Sequence, residues 1–188
     1  MKTLYKTFFF LSITLTIFAQ PDEKQMQEMM AMMMPGPEHE YLAKFEGSWK
    51  QHFKFYMTPG AEPVESAGES ENKMILGGRF LQITATGEMM GQPTEGLSIL
   101  GYDNRLKVFT MYGFDTMGTY AITPEGKRLD ENTFEYKGKN WEPQLNDYSD
   151  YRILFKMIDE NSYISELYFI FPGQDKEVKM LEVLSTRK

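Results

Sequence analysis

The chain contains no cysteine and only 2 histidines among its 188 residues. The first absence excludes disulfides, a thiolate nucleophile and cysteine-ligated zinc or iron–sulfur centres. The second leaves little for a histidine-based metal site, so no metal is expected. Surplus positive charge is missing as well. With 20 basic against 27 acidic residues the net charge is −7, which speaks against a phosphate-binding surface and a nucleic-acid partner. No HExxH, phosphate loop or nucleophile elbow occurs, so hydrolytic and nucleotide chemistry have no positive support. The length suits one domain with short appendages.

What is present begins with a secretion pattern. Lys2 and Lys6 precede an apolar run from Phe8 to Phe18, and Ala19 offers a small residue before Gln20. Residues 1–19 read as a signal peptide. A run of about 11 residues is too short to cross ~30 Å of hydrocarbon. The protein is therefore expected to be exported, periplasmic or extracellular, with no stable membrane insertion once the signal is removed. Residues 20–35 form a leader carrying Met26, Met29, Met30, Met32, Met33 and Met34, with no aromatic and no branched aliphatic residue. Such a segment reads as a disordered or weakly helical tether with sticky thioethers. Thioethers also suit copper(I), so copper on the leader stands as an alternative.

The folding unit is expected over 36–188. Pro37 suits a first helical turn with Glu38 and Glu40 near the positive end, and Tyr41, Leu42 and Phe45 share a face before Gly47. From Ser48 onward the periodicity is that of strands, beginning with Trp49, Phe53 and Phe55 against Lys50, His52 and Lys54. Further strands are expected near 65–76, 79–88, 94–102, 106–114, 118–123, 127–137, 149–158, 162–171 and 176–186. Turn chemistry separates them, including Gly77-Gly78, Asp103-Asn104, Pro124-Glu125-Gly126 and Asp159-Glu160-Asn161. About ten short strands with tight links predict an all-β fold: one antiparallel up-and-down barrel behind a short N-terminal helix.

Two resemblances bear on this. In lipocalin-like barrels a Gly-x-Trp opens the first strand, and an arginine after the last strand packs on the tryptophan. Gly47-Ser48-Trp49 and Ser185-Thr186-Arg187 look like that pair, which makes Trp49 and Arg187 the candidate plug of one barrel end. Gly36-Pro37-Glu38-His39, Glu46-Gly47-Ser48-Trp49, Leu76-Gly77-Gly78-Arg79-Phe80-Leu81, Gly87-Glu88-Met89-Met90-Gly91, Gly101-Tyr102-Asp103-Asn104 and Asp115-Thr116-Met117-Gly118-Thr119 resemble the bacterial "domain of unknown function 1579" family. That resemblance covers about 36–188. It implies a calycin-like barrel, often in exported proteins, and no established activity.

Strand alternation supplies candidate site residues. Arg79, Arg152, Glu166 and Glu182 alternate with apolar residues, which predicts a paired Arg/Glu network in the lumen, since unpaired buried charge is costly. The competing expectation is that these strands face the other way. His39, Met89, Met90, Tyr102 and Asp115 are candidates for a barrel mouth. Haem on His39, as in nitrobindin-like calycins, is an alternative to an otherwise cofactor-free protein. The leading functional expectation is a non-catalytic binder of a small, partly apolar ligand, with Arg79 and Arg152 as polar anchors. One alternative is an enzyme using Glu166 or Glu182 as acid/base; the other is an interaction protein with a filled barrel.

Overall fold

The computed structural model describes residues 22–188 apart from Pro59 and Met90. The signal segment 1–19 and the mouth candidate Met90 lie outside the described residues. Within the leader, α1 (Glu23–Met33) is an eleven-residue helix with no buried residue. Asp22 and Gln25 start it by exchanging hydrogen bonds: Gln25 N–H donates to Asp22 Oδ1 at 2.7 Å, and Asp22 N–H donates to Gln25 Oε1 at 3.0 Å.

The barrel unit opens with α2 (Pro37–Ala43), which buries His39, Tyr41 and Leu42. Ten strands follow: β1 (Gly47–Phe55), β2 (Val64–Ile75), β3 (Phe80–Met89), β4 (Gln92–Asp103), β5 (Val108–Asp115), β6 (Glu125–Arg128), β7 (Thr133–Glu142), β8 (Asp147–Asp159), β9 (Ser162–Ile170) and β10 (Val178–Arg187). Each pairs antiparallel with its sequence neighbours, and β1 closes on β10 from Trp49↔Arg187 to Phe55↔Leu181. The expected closed up-and-down barrel is the observed one, and closure leaves no strand edge at β1 and β10.

One stretch differs in detail. Residues 118–123 form no strand and meet the sheet through a single bridge, Gly113↔Ile122. The expected strand 127–137 is instead two, because Asp130 turns the chain by accepting the Asn132 N–H at 2.8 Å. Pro124-Glu125-Gly126, read as a turn, leads into β6, where the Pro124 carbonyl accepts the Met111 N–H at 3.3 Å. The total of ten survives because one strand is lost and one is split.

Alternation sorts the side chains into two faces. Trp49, Leu81, Leu100, Phe109, Phe134, Tyr136, Ile153, Phe155 and Tyr163 point inward and are buried together with α2 and Phe45. This fills the end of the barrel where α2 and the chain termini of the barrel unit lie. Phe134 stacks on Phe155 at 5.0 Å, and Phe45 meets Tyr163 edge-on at 5.1 Å. Glycine makes room for rings to lie flat. Gly101 pairs with Phe80, Gly126 with Tyr136 and Gly138 with Tyr151, and a Cβ at any of the three would collide with its partner's ring.

Candidate functional site

Inward-facing residues behave differently at the two ends. At the closed end Trp49 and Arg187 stack, with the guanidinium carbon 4.2 Å from the ring. Trp49 Nε1 and Asn72 Nδ2 both donate to the Phe45 carbonyl, at 3.0 and 2.9 Å. Arg187 Nη1 donates to the Glu46 carbonyl at 2.8 Å, joining the last strand to the link between α2 and β1. At the opposite, hairpin end the inner wall carries Phe53 and Phe55 on β1, Met89 on β3, Leu167 and Phe169 on β9, and Leu181 on β10. These are only half-buried. Facing them are small residues: Gly68, Ala85, Gly87, Gly96, Ser98 and Gly113. Phe53 stacks on Phe55 at 5.9 Å, and Phe169 on Phe171 at 5.7 Å. The Phe53 ring lies against Gly68 and Gly87, and Ile122 lies against Gly113, so this end of the barrel is apolar and its small residues are covered by neighbouring side chains.

Between rim and floor the wall holds neutral polar groups. Gln51 and Ser185 face each other across β1 and β10, with Gln51 Nε2 at 3.5 Å from Ser185 Oγ. Ser70 and Asn72 continue this patch on β2, and Ser149 lies on β8. All five are buried, and Gln51 Oε1, Ser70 Oγ, Asn72 Oδ1 and Ser149 Oγ have no hydrogen-bond partner among the described residues. Tyr151 reaches over Gly138, with its hydroxyl beside the Thr123 backbone. Burial pushes that hydroxyl up to about 12, so it stays protonated at neutral pH.

The charged lumen expected from sequence is corrected. Arg152, Glu166 and Glu182 lie on the outer face, because Tyr151, Ile153 and Phe155 on β8, Tyr163 and Leu167 on β9, and Val183 and Ser185 on β10 take the inner positions. A bulge between Lys179 and Leu181 shifts the phase of β10 and sends Glu182 outward. The paired network does exist, outside the barrel. Arg152 holds Glu177 through Nε at 2.8 Å and Nη2 at 2.5 Å, while Lys179 contacts both Glu166 and Glu182. Tyr168 sits between them, 4.4 Å from the Arg152 guanidinium and 5.6 Å from Lys179 Nζ. Burial alone would lower the Lys179 pKa, but bonds to Glu166 and Glu182 outweigh it and raise it.

Arg79 is not in the lumen either. It lies in the β2–β3 turn, where Nη1 donates to the Leu76 carbonyl at 3.2 Å and Nη2 to the Met33 carbonyl at 3.0 Å. Asn104 Nδ2 donates to the Met34 carbonyl at 2.8 Å beside it. Together they border a surface cleft of about 360 Å³ at the closed end.

The mouth candidates separate. Met89 and Asp115 belong to the hairpin end, with Asp115 Oδ1 accepting the Met117 N–H at 2.8 Å. His39 and Tyr102 belong to the closed end, their rings edge-on at 6.1 Å. His39 Nδ1 accepts the Gly36 N–H at 3.1 Å, a helix-start contact, and the ring lies beside the Tyr102 backbone. Burial, more than any other influence, lowers its pKa and favours the neutral ring. Gln51, Ser70, Asn72 and Ser185 were missed from sequence, although Gln51 stands between Trp49 and Phe53 on an otherwise apolar face.

The sequence model of the family described as "Protein of unknown function (DUF1579)" matches residues 34–187. The chain belongs to that family. No curated protein matches it. Among solved structures, Rv2717c from M. tuberculosis is similar at TM-score 0.58 and 17% identity, covering 82% of this chain and 99% of that one. This likeness supports the barrel fold. A redesigned β-barrel, b11L5F_LGL, is similar at TM-score 0.42 and 11% identity, covering 78% of this chain and 94% of that one. Membership of DUF1579 and the barrel agree with the sequence motifs on which the resemblance rested.

Proposed function

We propose that this DUF1579 protein is a non-catalytic binder that holds a small, largely apolar ligand at the hairpin end of its barrel. One observation carries the reading: inward-facing Phe53, Phe55, Met89 and Leu181 stay half-buried outside the core cluster, whereas the inward residues of the closed end are packed in it with α2. A protein gains ~25 cal/mol per Å² by covering apolar surface, so a wall left uncovered favours an apolar guest. The anchors expected at Arg79 and Arg152 are replaced in this reading by the neutral wall of Gln51, Ser70, Asn72 and Ser185. An acid/base role for Glu166 or Glu182 loses its support, since both are on the outside and bound to Lys179.

The test is binding of the neutral fluorophore Nile red. Wild type should enhance its emission with saturable, one-site behaviour. Ala85→Trp, which adds bulk on the small-residue wall, should weaken binding at least tenfold. Equal binding by this variant, with its fold intact by circular dichroism, would remove the mouth as the site. Export is part of the proposal on the strength of the residue 1–19 pattern alone. Expression of the full chain in a bacterium should yield a periplasmic or secreted product whose intact mass starts at Gln20.

A further inference from the structure

The leader carries chemistry that the barrel does not use. Helix α1 buries none of its residues, and its Met26, Met29, Met30 and Met33 are 52, 56, 63 and 70% exposed. At about 100° per residue these four fall within an arc of roughly 100°, so their thioethers share one helix face. Lys24 and Glu28, an ion pair at 3.8 Å, take the opposite face. The reciprocal hydrogen bonds of Asp22 and Gln25 start the helix and so fix which positions align.

The composition of this face separates sulfur from mere bulk. Leucine forms helices as well as methionine does and is as apolar, yet residues 20–35 hold no leucine, isoleucine, valine or aromatic residue. What every position of the face shares is a neutral, soft thioether donor. Such donors select copper(I) over harder ions. Side chains three and four residues apart on a helix have Cβ atoms about 5–6 Å apart, and the flexible methionine side chain lets neighbouring sulfurs converge on one ion. Asp22, Glu23 and Glu28 outnumber Lys24, so a cation meets no net repulsion there. Neighbouring donors are already engaged. His39 is buried, with Nδ1 on the Gly36 N–H and its ring beside the Tyr102 backbone. Met34 Sδ accepts from Arg79 Nη2 at 3.7 Å, and that guanidinium would repel a metal ion.

We infer that the methionine face of α1 is a copper(I) site, with Met26, Met29, Met30 and Met33 supplying thioether ligands to one monovalent ion. The ion binds and leaves as copper(I), with no change of oxidation state. The site is independent of what the barrel holds.

Anaerobic titration of the purified protein with the copper(I)–acetonitrile complex tests it, followed by NMR of carbon-13-labelled methionine methyl groups. The methyls of Met26, Met29, Met30 and Met33, assigned through single leucine variants, should shift and saturate at one equivalent. Those of the buried Met111 and Met157 should stay in place, and zinc(II) should move none of the four. Replacing all four by leucine keeps the helix propensity and the apolar face but removes the sulfur, and should weaken copper(I) binding at least tenfold. Since α1 buries nothing, the barrel of that variant should stay folded by circular dichroism. Copper(I) affinity unchanged in the leucine variant, shifts confined to Met32 and Met34, equal shifts with zinc(II), or no shift at a tenfold excess of copper(I) would each overturn the assignment.

Discussion

Arg187 concentrates several contacts in one side chain. It covers Trp49 at 4.2 Å, donates to the Glu46 carbonyl at 2.8 Å and to the Glu160 carbonyl at 3.1 Å, and so ties β10, β1 and the β8–β9 turn. A cation–π contact contributes ~0.5–2 kcal/mol and a charged hydrogen bond ~1.5–3 kcal/mol before solvent competition. Arg187→Ala should therefore lower unfolding free energy in urea by about 1–3 kcal/mol, less being expected because the group is exposed. Lysine at this position should restore only part, since it lacks the planar fork. Gly47 is bound to the same feature: its φ is 129°, and a Cβ there would strike Arg187 Nη1. His39 gives a pH signature. Its pKa is lowered from the ordinary 6.5, chiefly by burial, so the unfolded chain takes up the proton first. That contribution is whole above pH 6.5 and shrinks as the pH falls below it. The urea midpoint should drop between pH 7 and 5.5, and His39→Gln, which keeps an acceptor for Gly36 N–H, should flatten the slope. An identical slope in both proteins would mean His39 does not sense pH.

The elements of the barrel are unequal. The β5–β6 ladder has two residue pairs, Phe109↔Gly126 and Thr110↔Glu125, whereas β3–β4 and β7–β8 have ten each. Above Lys137, β7 pairs only with β8, and the space beside it is spanned by the 116–124 segment. Tyr151 bridges this seam by lying over Gly138 with its hydroxyl beside the Thr123 backbone. Local opening follows the density of backbone bonds and buried contacts, so this seam should open first. In hydrogen exchange read by mass spectrometry, peptides from 116–128 should exchange well before those of β3–β4 or β7–β8. Tyr151→Phe should accelerate exchange in 116–124 and little else. Uniform protection around the barrel would contradict the account.

At the scale of the whole molecule, charge is sorted by face and end: an uncharged interior, an acidic rim, and ion pairs on the outside. Arg152, Glu177, Lys179, Glu166 and Glu182 form surface pairs, whose net worth is usually ~0–1 kcal/mol each. Arg152→Ala should cost no more than about 1 kcal/mol of stability and leave Nile red affinity within twofold of wild type. A large loss of binding would restore Arg152 as an anchor. Without a cysteine, cohesion comes from packing around α2, where Leu42 is fully buried. Leu42→Ala should cost roughly 2–5 kcal/mol, seen as a shifted urea midpoint.

The alternation after Ser48, the turn residues and the motif order determined the all-β class, the closed antiparallel barrel, the preceding helix and membership of DUF1579. These are local or pairwise properties, carried by periodicity and backbone preference, so a linear text can hold them. Which face of β8, β9 and β10 turns inward was a different matter. β9 is apolar on both sides, with Tyr163, Leu167 and Phe169 against Ile164, Tyr168 and Ile170, so its alternation names two faces without ranking them. In β10 a bulge at Lys179–Leu181 reverses the phase, and no residue type marks it. Only closure of the barrel decided the matter, because the side with more aromatic volume fills the interior and the charged side keeps its water. That choice moved Arg152, Glu166 and Glu182 outside and left Gln51, Ser70, Asn72 and Ser185 within. It also separated His39 and Tyr102 from Met89 and Asp115, since the two ends of a barrel are distinguished by which hairpins and which helix meet there.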